Sequence, residues 1–352
     1  MAKNNNLTDL LKDVANAIRE KKGTTSLINP QDFSAEIASI AGGGSAPSRK
    51  WTGHADAEGL RAIGWTDDDI AYYQQNGVNW DEEYDEYHKV SDDNKALYGA
   101  LTVDNIQDYK DRIVYLPKID VRGVTDMSWM FNNCVLLVCI PCLDTRDVTN
   151  MFSMFNNCYS LVTIPMLDTS NVTDMSQMFR ICRSLVSVPL LDTANVTNMN
   201  AMFDGCYSLA SVARFNTQKV TCMSGMFNYC YSLTDIPQFD TRSVTNMASM
   251  FYYCRALVSI SALDMDSVTS ASYMFDSCSS LAVANIKNVK FSSSFHSSAV
   301  LSKEALLCII NNEAATSAIT ITLNGYAYSR LATDAEVVSA LANHTNVSLA
   351  SA

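Results

Sequence analysis

The sequence predicts an α+β solenoid of about seven 24-residue coils, capped at its end and preceded by small helical units. Three observations carry this. The pair Met-Phe recurs at 130–131, 154–155, 178–179, 202–203, 226–227, 250–251 and 274–275, always 24 residues apart. A cysteine follows each phenylalanine by three residues, from Cys134 to Cys278, and a leucine follows each cysteine by three, from Leu137 to Leu281. Val-Thr precedes each pair by six, from Val124-Thr125 to Val268-Thr269. Repetition at one short period, without insertion or deletion, marks stacked units that bury their apolar edges only against each other.

Composition bounds the function. A chain of 352 residues with 48% hydrophobic and 18% charged residues is long enough for two or three domains and too apolar to be mainly disordered. Its apolar runs fall far short of the ~20 residues a membrane-spanning helix needs. Lys and Arg number 25 against 37 Asp and Glu, a net charge of −12, which suits neither duplex nucleic acid nor an anionic membrane. The opening MAKNNNLTDLLKDVANAIREKKG shows no apolar h-region, so no secretory signal is expected, nor is a lipidation motif.

Charge divides the chain further. Residues 1–50 carry 7 basic and 5 acidic side chains, residues 51–112 carry 5 and 15, and residues 113–352 carry 13 and 17. In the first unit, Leu7, Leu10, Leu11, Val14 and Ile18 form one helical stripe that Gly23 ends. A second short helix follows Pro30 with Phe33, Ile37 and Ile40 on one side. So small a core needs a partner, and residues 1–41 read as a docking or assembly segment, with homo-oligomerisation possible. The Gly/Ser-rich stretch within 42–50 is a flexible linker. Residues 51–112 read as an acidic helical domain built around Trp51, Trp65, Tyr72, Tyr73 and Trp80, with a helical piece at Val103–Tyr109. Its run DEEYDE at 81–86 reads as a solvated face.

The repeats occupy residues 113–285. Within one unit, Leu185, Val188 and Leu191 fit a short extended segment with Pro189 where a ladder donor is dispensable. Asp192-Thr193 makes a turn. Met199, Met202 and Phe203 then stand at i, i+3 and i+4, one face of a single helical turn. Thirteen of the 16 methionines lie in these two columns, where an adaptable side chain fills the core. Coils spaced as neighbouring strands give a body about 30–35 Å long. After Cys278 the pattern degrades, with Ala284 and Lys287 at apolar positions. Residues 286–352 read as a degenerate repeat and cap, with helices at Leu301–Asn311 and Asp334–Leu341 and a strand at Ile319–Leu323.

Chemistry-bearing residues point away from catalysis. Seven of the 11 cysteines share the repeat column, and an odd number in register cannot pair completely, so a buried thiol column is expected rather than disulfides. Cys139 and Cys142 have C-x-x-C spacing but no facing second pair, which leaves no zinc site. The column Asp120, Asp144, Asp168, Asp192, Asp240 and Asp264, with Asn216 in the remaining copy, offers one carboxylate per coil and reads as turn capping, not a calcium ladder. The four histidines, His54, His88, His296 and His344, lie outside the regular repeats, and no G-x-S-x-G, P-loop or H-E-x-x-H occurs. No catalytic residue, metal or cofactor is expected.

The positions flanking the cysteine column vary while the core columns stay fixed, and so are expected to be exposed. They hold Asn132, Asn133, Asn156, Asn157, Tyr159, Arg180, Arg183, Tyr207, Tyr229, Tyr231, Tyr252, Tyr253 and Arg255. In register, Tyr207 and Tyr231 stack one coil apart with Tyr229, Tyr252 and Tyr253 beside them. Tyr and Arg combine contact area with directed hydrogen bonds, which makes Tyr159 through Arg255 the expected partner-binding residues. Aromatic faces also suit sugar rings, so a cell-surface glycan or protein is the expected ligand.

The unit in Phe155–Met178 resembles the BspA-like leucine-rich repeats of bacterial surface proteins, written F-x-x-C-x-S-L-x-x-[IV]-P-x-L-D-T-S-x-V-T-x-M-x-x-M. That resemblance covers residues 113–285 and implies a leucine-rich-repeat-like solenoid used in adhesion or protein binding. Ala213 and Ser261 depart from it at the proline and Ala271 at the first methionine. Residues 7–40 resemble N-terminal segments of tail and fibre-type proteins of gut-bacterial phages, which implies attachment to other virion proteins. Together these imply a virion structural protein that recognises a host surface; an adhesin of the bacterial cell surface is the alternative.

Overall fold

The computed structural model describes residues 101–352 except 115, 117, 118 and 299. The expectations for residues 1–41, 42–50 and 51–100, His54 and His88 among them, lie outside the described residues. A 3-10 helix at Ile106–Tyr109 stands where a helical piece was expected. Its Ile106 is buried, and Gln107 Nε2 donates to the carbonyls of Trp129 (3.1 Å) and Met130 (2.9 Å), which ties this segment to the first Met-Phe unit.

Each coil turns its repeat columns inward. In the coil beginning at Asp168, Val172, Met175, Met178, Phe179, Cys182 and Leu185 are fully buried. Equivalent phenylalanines from Phe131 to Phe275 stack with centroids 5.2–6.0 Å apart and near-parallel rings. Parallel pairing at single residues links Asp126, Asn150, Asp174, Asn198, Cys222, Asn246 and Ser270 in sequence.

The Met-x-x-Met-Phe segment is not a helical turn, which corrects the expectation from its spacing. Met178 N–H donates to Met175 O (3.2 Å) and Cys182 N–H to Phe179 O (3.1 Å), closing two successive turns. The third residue of each turn has positive φ, Gln177 at 56° and Ile181 at 58°, the pattern of type II turns. A residue reversed at every fourth position cannot continue a helix. The N–H groups of Met175, Gln177, Phe179 and Ile181 instead donate to Asn198, Asn200, Met202 and Asp204 of the next coil. Stacking has claimed the donors that a helix would use internally.

The extended Leu-x-x-[IV]-Pro segment also departs from expectation. Through most of the stack it makes a single inter-coil bond, such as Val186 N–H to Val162 O (3.1 Å), because proline offers no donor. A paired ladder forms where two successive coils both lack the proline; Ala213, between Pro189 and Pro237, does not produce one. β1 (Ser259–Asp264) contains Ser261, β2 (Val283–Lys287) contains Asn285, and the two pair in parallel with a register shift between Ile260 and Ala262. That shift brings Ile286 rather than Lys287 opposite Leu263, so the degenerate repeat still supplies a buried residue.

Beyond β2 the stack takes in helices. β3 (Ser293–Phe295), β4 (Ile319–Leu323) and β5 (Val347–Ser351) form a parallel sheet in that order, offset by 28 residues between partners. α1 (Lys303–Asn311) joins β3 to β4, and its Leu306, Ile309 and Ile310 are buried. α2 (Gly325–Leu331) and α3 (Ala335–Asn343) join β4 to β5. Ser302, Asn324 and Asp334 cap the three helices by accepting from first-turn N–H groups. Two helices and β4 match expectation; α2 and β5 were not anticipated.

Candidate recognition surface

Three polar columns shape the coils, two by capping turns within a coil and the threonine column by bonding one coil to the next, and so fix where the variable side chains stand. Asp168 Oδ1 accepts from Ser170 N–H (3.1 Å), Asp192 from Ala194 N–H (2.9 Å) and Asp264 from Asp266 N–H (3.0 Å), the turn-capping role expected of that column. The adjacent threonines are buried: Thr217 Oγ1 donates to Asp240 O (2.9 Å) and accepts from Asp240 N–H (2.8 Å). A third column, Asp126, Asn150, Asp174, Asn198 and Asn246, interrupted by Cys222, caps the start of the Met-x-x-Met turn, as in Ser176 N–H to Asp174 Oδ1 (2.7 Å). Sequence reading missed it, although Asp and Asn alternate through its first four copies.

The column cysteines are buried and free. Cys182 Sγ donates to Phe155 O (3.1 Å), Cys206 to Phe179 O (3.0 Å) and Cys230 to Phe203 O (3.2 Å), so each thiol satisfies a buried carbonyl of the preceding coil. Burial pushes the Cys134 and Cys278 thiols up to about 12 and the others well above their ordinary range. Thiols held neutral are poor nucleophiles and poor metal ligands.

Immediately after each cysteine the chain emerges. Tyr159, Arg183, Tyr207, Tyr231 and Arg255 occupy this position in five successive coils. The Arg183 guanidinium lies over the Tyr159 ring (4.6 Å to the centroid) and the Tyr207 ring (5.5 Å). Tyr207 and Tyr231 stand 4.9 Å apart, tilted by 33°. Arg255 lies over Tyr231 (5.1 Å) and Tyr253 (5.2 Å). Tyr229 stacks on Tyr253 at 5.0 Å and meets Tyr231 and Tyr252 edge-on. The expected juxtaposition of tyrosines is therefore present, interleaved with two arginines. Burial, with neighbouring phenols, raises the pKa of Tyr231 and Tyr252.

Arg180 stands apart from this column. Its Nε pairs with Asp204 Oδ2 at 2.9 Å, and burial still pushes the Asp204 carboxyl up against the opposing pull of Arg180 and Asn228. Asn156 is buried rather than exposed, which corrects the expectation for that position: it follows Phe155 directly and lies within the second turn of its coil. Tyr273, 66% exposed and 6.5 Å from Tyr252, extends the aromatic cluster and was missed because its column holds Trp, Ser, Gln, Ala and Gly elsewhere.

A second cluster lies where the regular repeats end. Ala271 replaces a core methionine, and a cavity of about 190 Å³ opens there, lined by Tyr273, Met274, Val289 and Ser293 among others. Asp276 also borders it, with Oδ1 3.5 Å from His296 Nδ1, and Ser294 Oγ lies 2.8 Å from the same nitrogen. A nucleophilic relay needs serine and carboxylate on opposite imidazole nitrogens, so this trio does not form one.

The crystal structure of the T. pallidum leucine-rich repeat protein is similar to this chain at 25% identity, covering 47% of this chain and 76% of that one with a TM-score of 0.38. The TLR13–ssRNA13 complex is similar at 10% identity, covering 62% of this chain and 41% of that one with a TM-score of 0.22. No curated protein matches the chain. A family model described as "Mycoplasma protein of unknown function, DUF285" matches residues 102–206 and 185–291, which supports the BspA-like reading of the repeats. Those matches span more than half of the 352 residues, and the chain belongs to the DUF285 family.

Proposed function

We propose that the chain is a non-enzymatic recognition protein, a tail or fibre component of a phage virion. In this reading residues 1–41 dock it to other virion proteins, the C-terminal elements cap about seven coils, and the repeats contact a glycan or protein of the host surface. One observation carries the binding role: five successive coils present interleaved tyrosines and arginines immediately outside the thiol column. Such side chains dominate binding energy at interfaces. The virion placement rests on the resemblance of residues 7–40. Membership in a bacterial protein family favours a second reading, an adhesin of the bacterial cell surface.

Attachment of the labelled full chain to host cells tests the binding role. Replacing Tyr207, Tyr229, Tyr231 and Tyr252 with Ser is expected to weaken attachment at least tenfold with little change in melting temperature. Unchanged attachment rejects the surface. Mass spectrometry of purified particles and of cell envelopes separates the two placements, and deletion of residues 1–41 abolishes incorporation if the virion reading holds.

A further inference from the structure

We propose that the Tyr159–Arg183–Tyr207–Tyr231–Arg255 column reads carboxylates, and that its ligand is a linear acidic glycan. This deepens the recognition role proposed above and rests on it. The ring faces inside the column are already occupied. Arg183 sits between Tyr159 and Tyr207, Tyr207 faces Tyr231, and Arg255 sits between Tyr231 and Tyr253. A neutral sugar that docks its C–H face needs a free ring, and Tyr207 and Tyr231 offer none. Outward they present edges: phenol hydroxyls with no hydrogen-bond partner among the described residues, and guanidinium N–H groups. The expected match of aromatic faces to sugar rings is replaced by donor edges suited to anions.

Charge points the same way. Arg122, Arg146, Arg180 and Arg242 each pair with an aspartate at 2.5–2.9 Å. Arg183 and Arg255 are exposed and, among the described residues, have no carboxylate partner. Each stands over two rings, which restrains its guanidinium while leaving its N–H groups open to pairing with a carboxylate. Arg112, Arg214 and Arg330 also lack a carboxylate partner among the described residues, but Arg183 and Arg255 share one column with stacked tyrosines in a chain of net charge −12. They are three coils apart, roughly 15 Å at ordinary strand spacing. The ligand must therefore carry carboxylates repeatedly along a stiff line. An acidic polysaccharide does so, whereas an acidic peptide would lose more conformational freedom on binding.

The test uses the full chain and three probes: polygalacturonate, its fully methyl-esterified form, and poly-L-glutamate. Polygalacturonate is expected to bind at least tenfold tighter than either of the others. Arg183→Gln with Arg255→Gln removes that binding at unchanged melting temperature, while Arg183→Lys with Arg255→Lys restores only part of it. Arg122→Gln, remote from the column, leaves it unchanged. Equal binding of the ester, tighter binding of poly-L-glutamate, or no binding of polygalacturonate overturns the proposal. Cell attachment that depends on the tyrosines yet resists competition by polygalacturonate overturns this inference alone. Attachment indifferent to the tyrosines overturns the recognition role itself.

Discussion

Ile181→Asn is expected to stabilise the protein although it removes a half-buried apolar side chain. Ile181 is held at φ 58°, in a column where neighbouring coils use Asn133 (60°), Asn157 (63°) and Gly205. Left-handed backbone costs an L-residue about 1–2 kcal/mol, and a β-branched side chain bears the high end of that range. Asparagine relieves about 1 kcal/mol of it. Asn157 Nδ2 already donates to Asn133 Oδ1 at 2.9 Å, and the substitution extends this amide ladder by one rung, about 0.5–1 kcal/mol. Against this stands the lost apolar contact over Gly205, about 1 kcal/mol for a half-buried isoleucine. The net gain is about 0.5–1 kcal/mol, a rise of roughly 0.5–1.5 °C for a chain of 352 residues. Ile181→Val is the control: it keeps the branched residue and its backbone cost, and loses about 0.5–1 kcal/mol of packing. Thermal melts followed by circular dichroism should place the asparagine variant above wild type and the valine variant below. An asparagine variant melting at or below the valine variant would refute the strain argument.

The raised thiols make stability fall at alkaline pH. Cys134 and Cys278 keep their protons when folded and release them near pH 9 when unfolded, so their contribution is complete below pH 9 and is lost as pH rises towards about 12, and the other column thiols, also raised by burial, act in the same direction. Each of these two thiols costs about 1.4 kcal/mol per pH unit over that window, and Cys278→Ala should flatten the slope measured by urea titration; an unaltered slope assigns it elsewhere. Ala271→Met fills part of the cavity of about 190 Å³ and should add about 1–2 kcal/mol, whereas a lower melting temperature would mean that the surrounding Ser292–Ser294 segment cannot accommodate it. Thr217→Val leaves both backbone groups of Asp240 without their buried partner and should cost about 2–3 kcal/mol. Thr221→Val, at an exposed threonine that only donates to Thr197 O, should cost less than about 1 kcal/mol; equal costs would contradict the ladder's role.

The period and the buried columns were legible because Met, Phe, Cys and Leu recur at fixed places, and burial selects identity. The turn geometry was not, since Met199, Met202 and Phe203 satisfy a helical turn and a pair of linked turns equally well. The discriminating signal lay in the left-handed column, where Asn133, Asn157 and Gly205 tolerate positive φ, but Ile181, Tyr229 and Tyr253 obscured it. Pro141, Pro165, Pro189 and Pro237 announced a weak ladder, and only pairing across coils revealed that Ser261 and Asn285 restore it. At the surface, column reading placed Tyr207 beside Tyr231 and found Arg183 and Arg255 near them. It could not tell which groups stack, because side-chain direction is absent from a one-dimensional pattern. The proposed ligand, one that meets edges rather than covering ring faces, rests on that direction.

Amide hydrogen exchange of the full chain, free and bound to envelopes of cells it attaches to, tests the central claim most directly. Slowed exchange is predicted in peptides spanning Tyr159, Arg183, Tyr207, Tyr231 and Arg255, with none around Thr149, Thr173, Thr197, Thr221 and Thr245 on their own column. Protection confined to the threonine column or to residues 319–352 would contradict it.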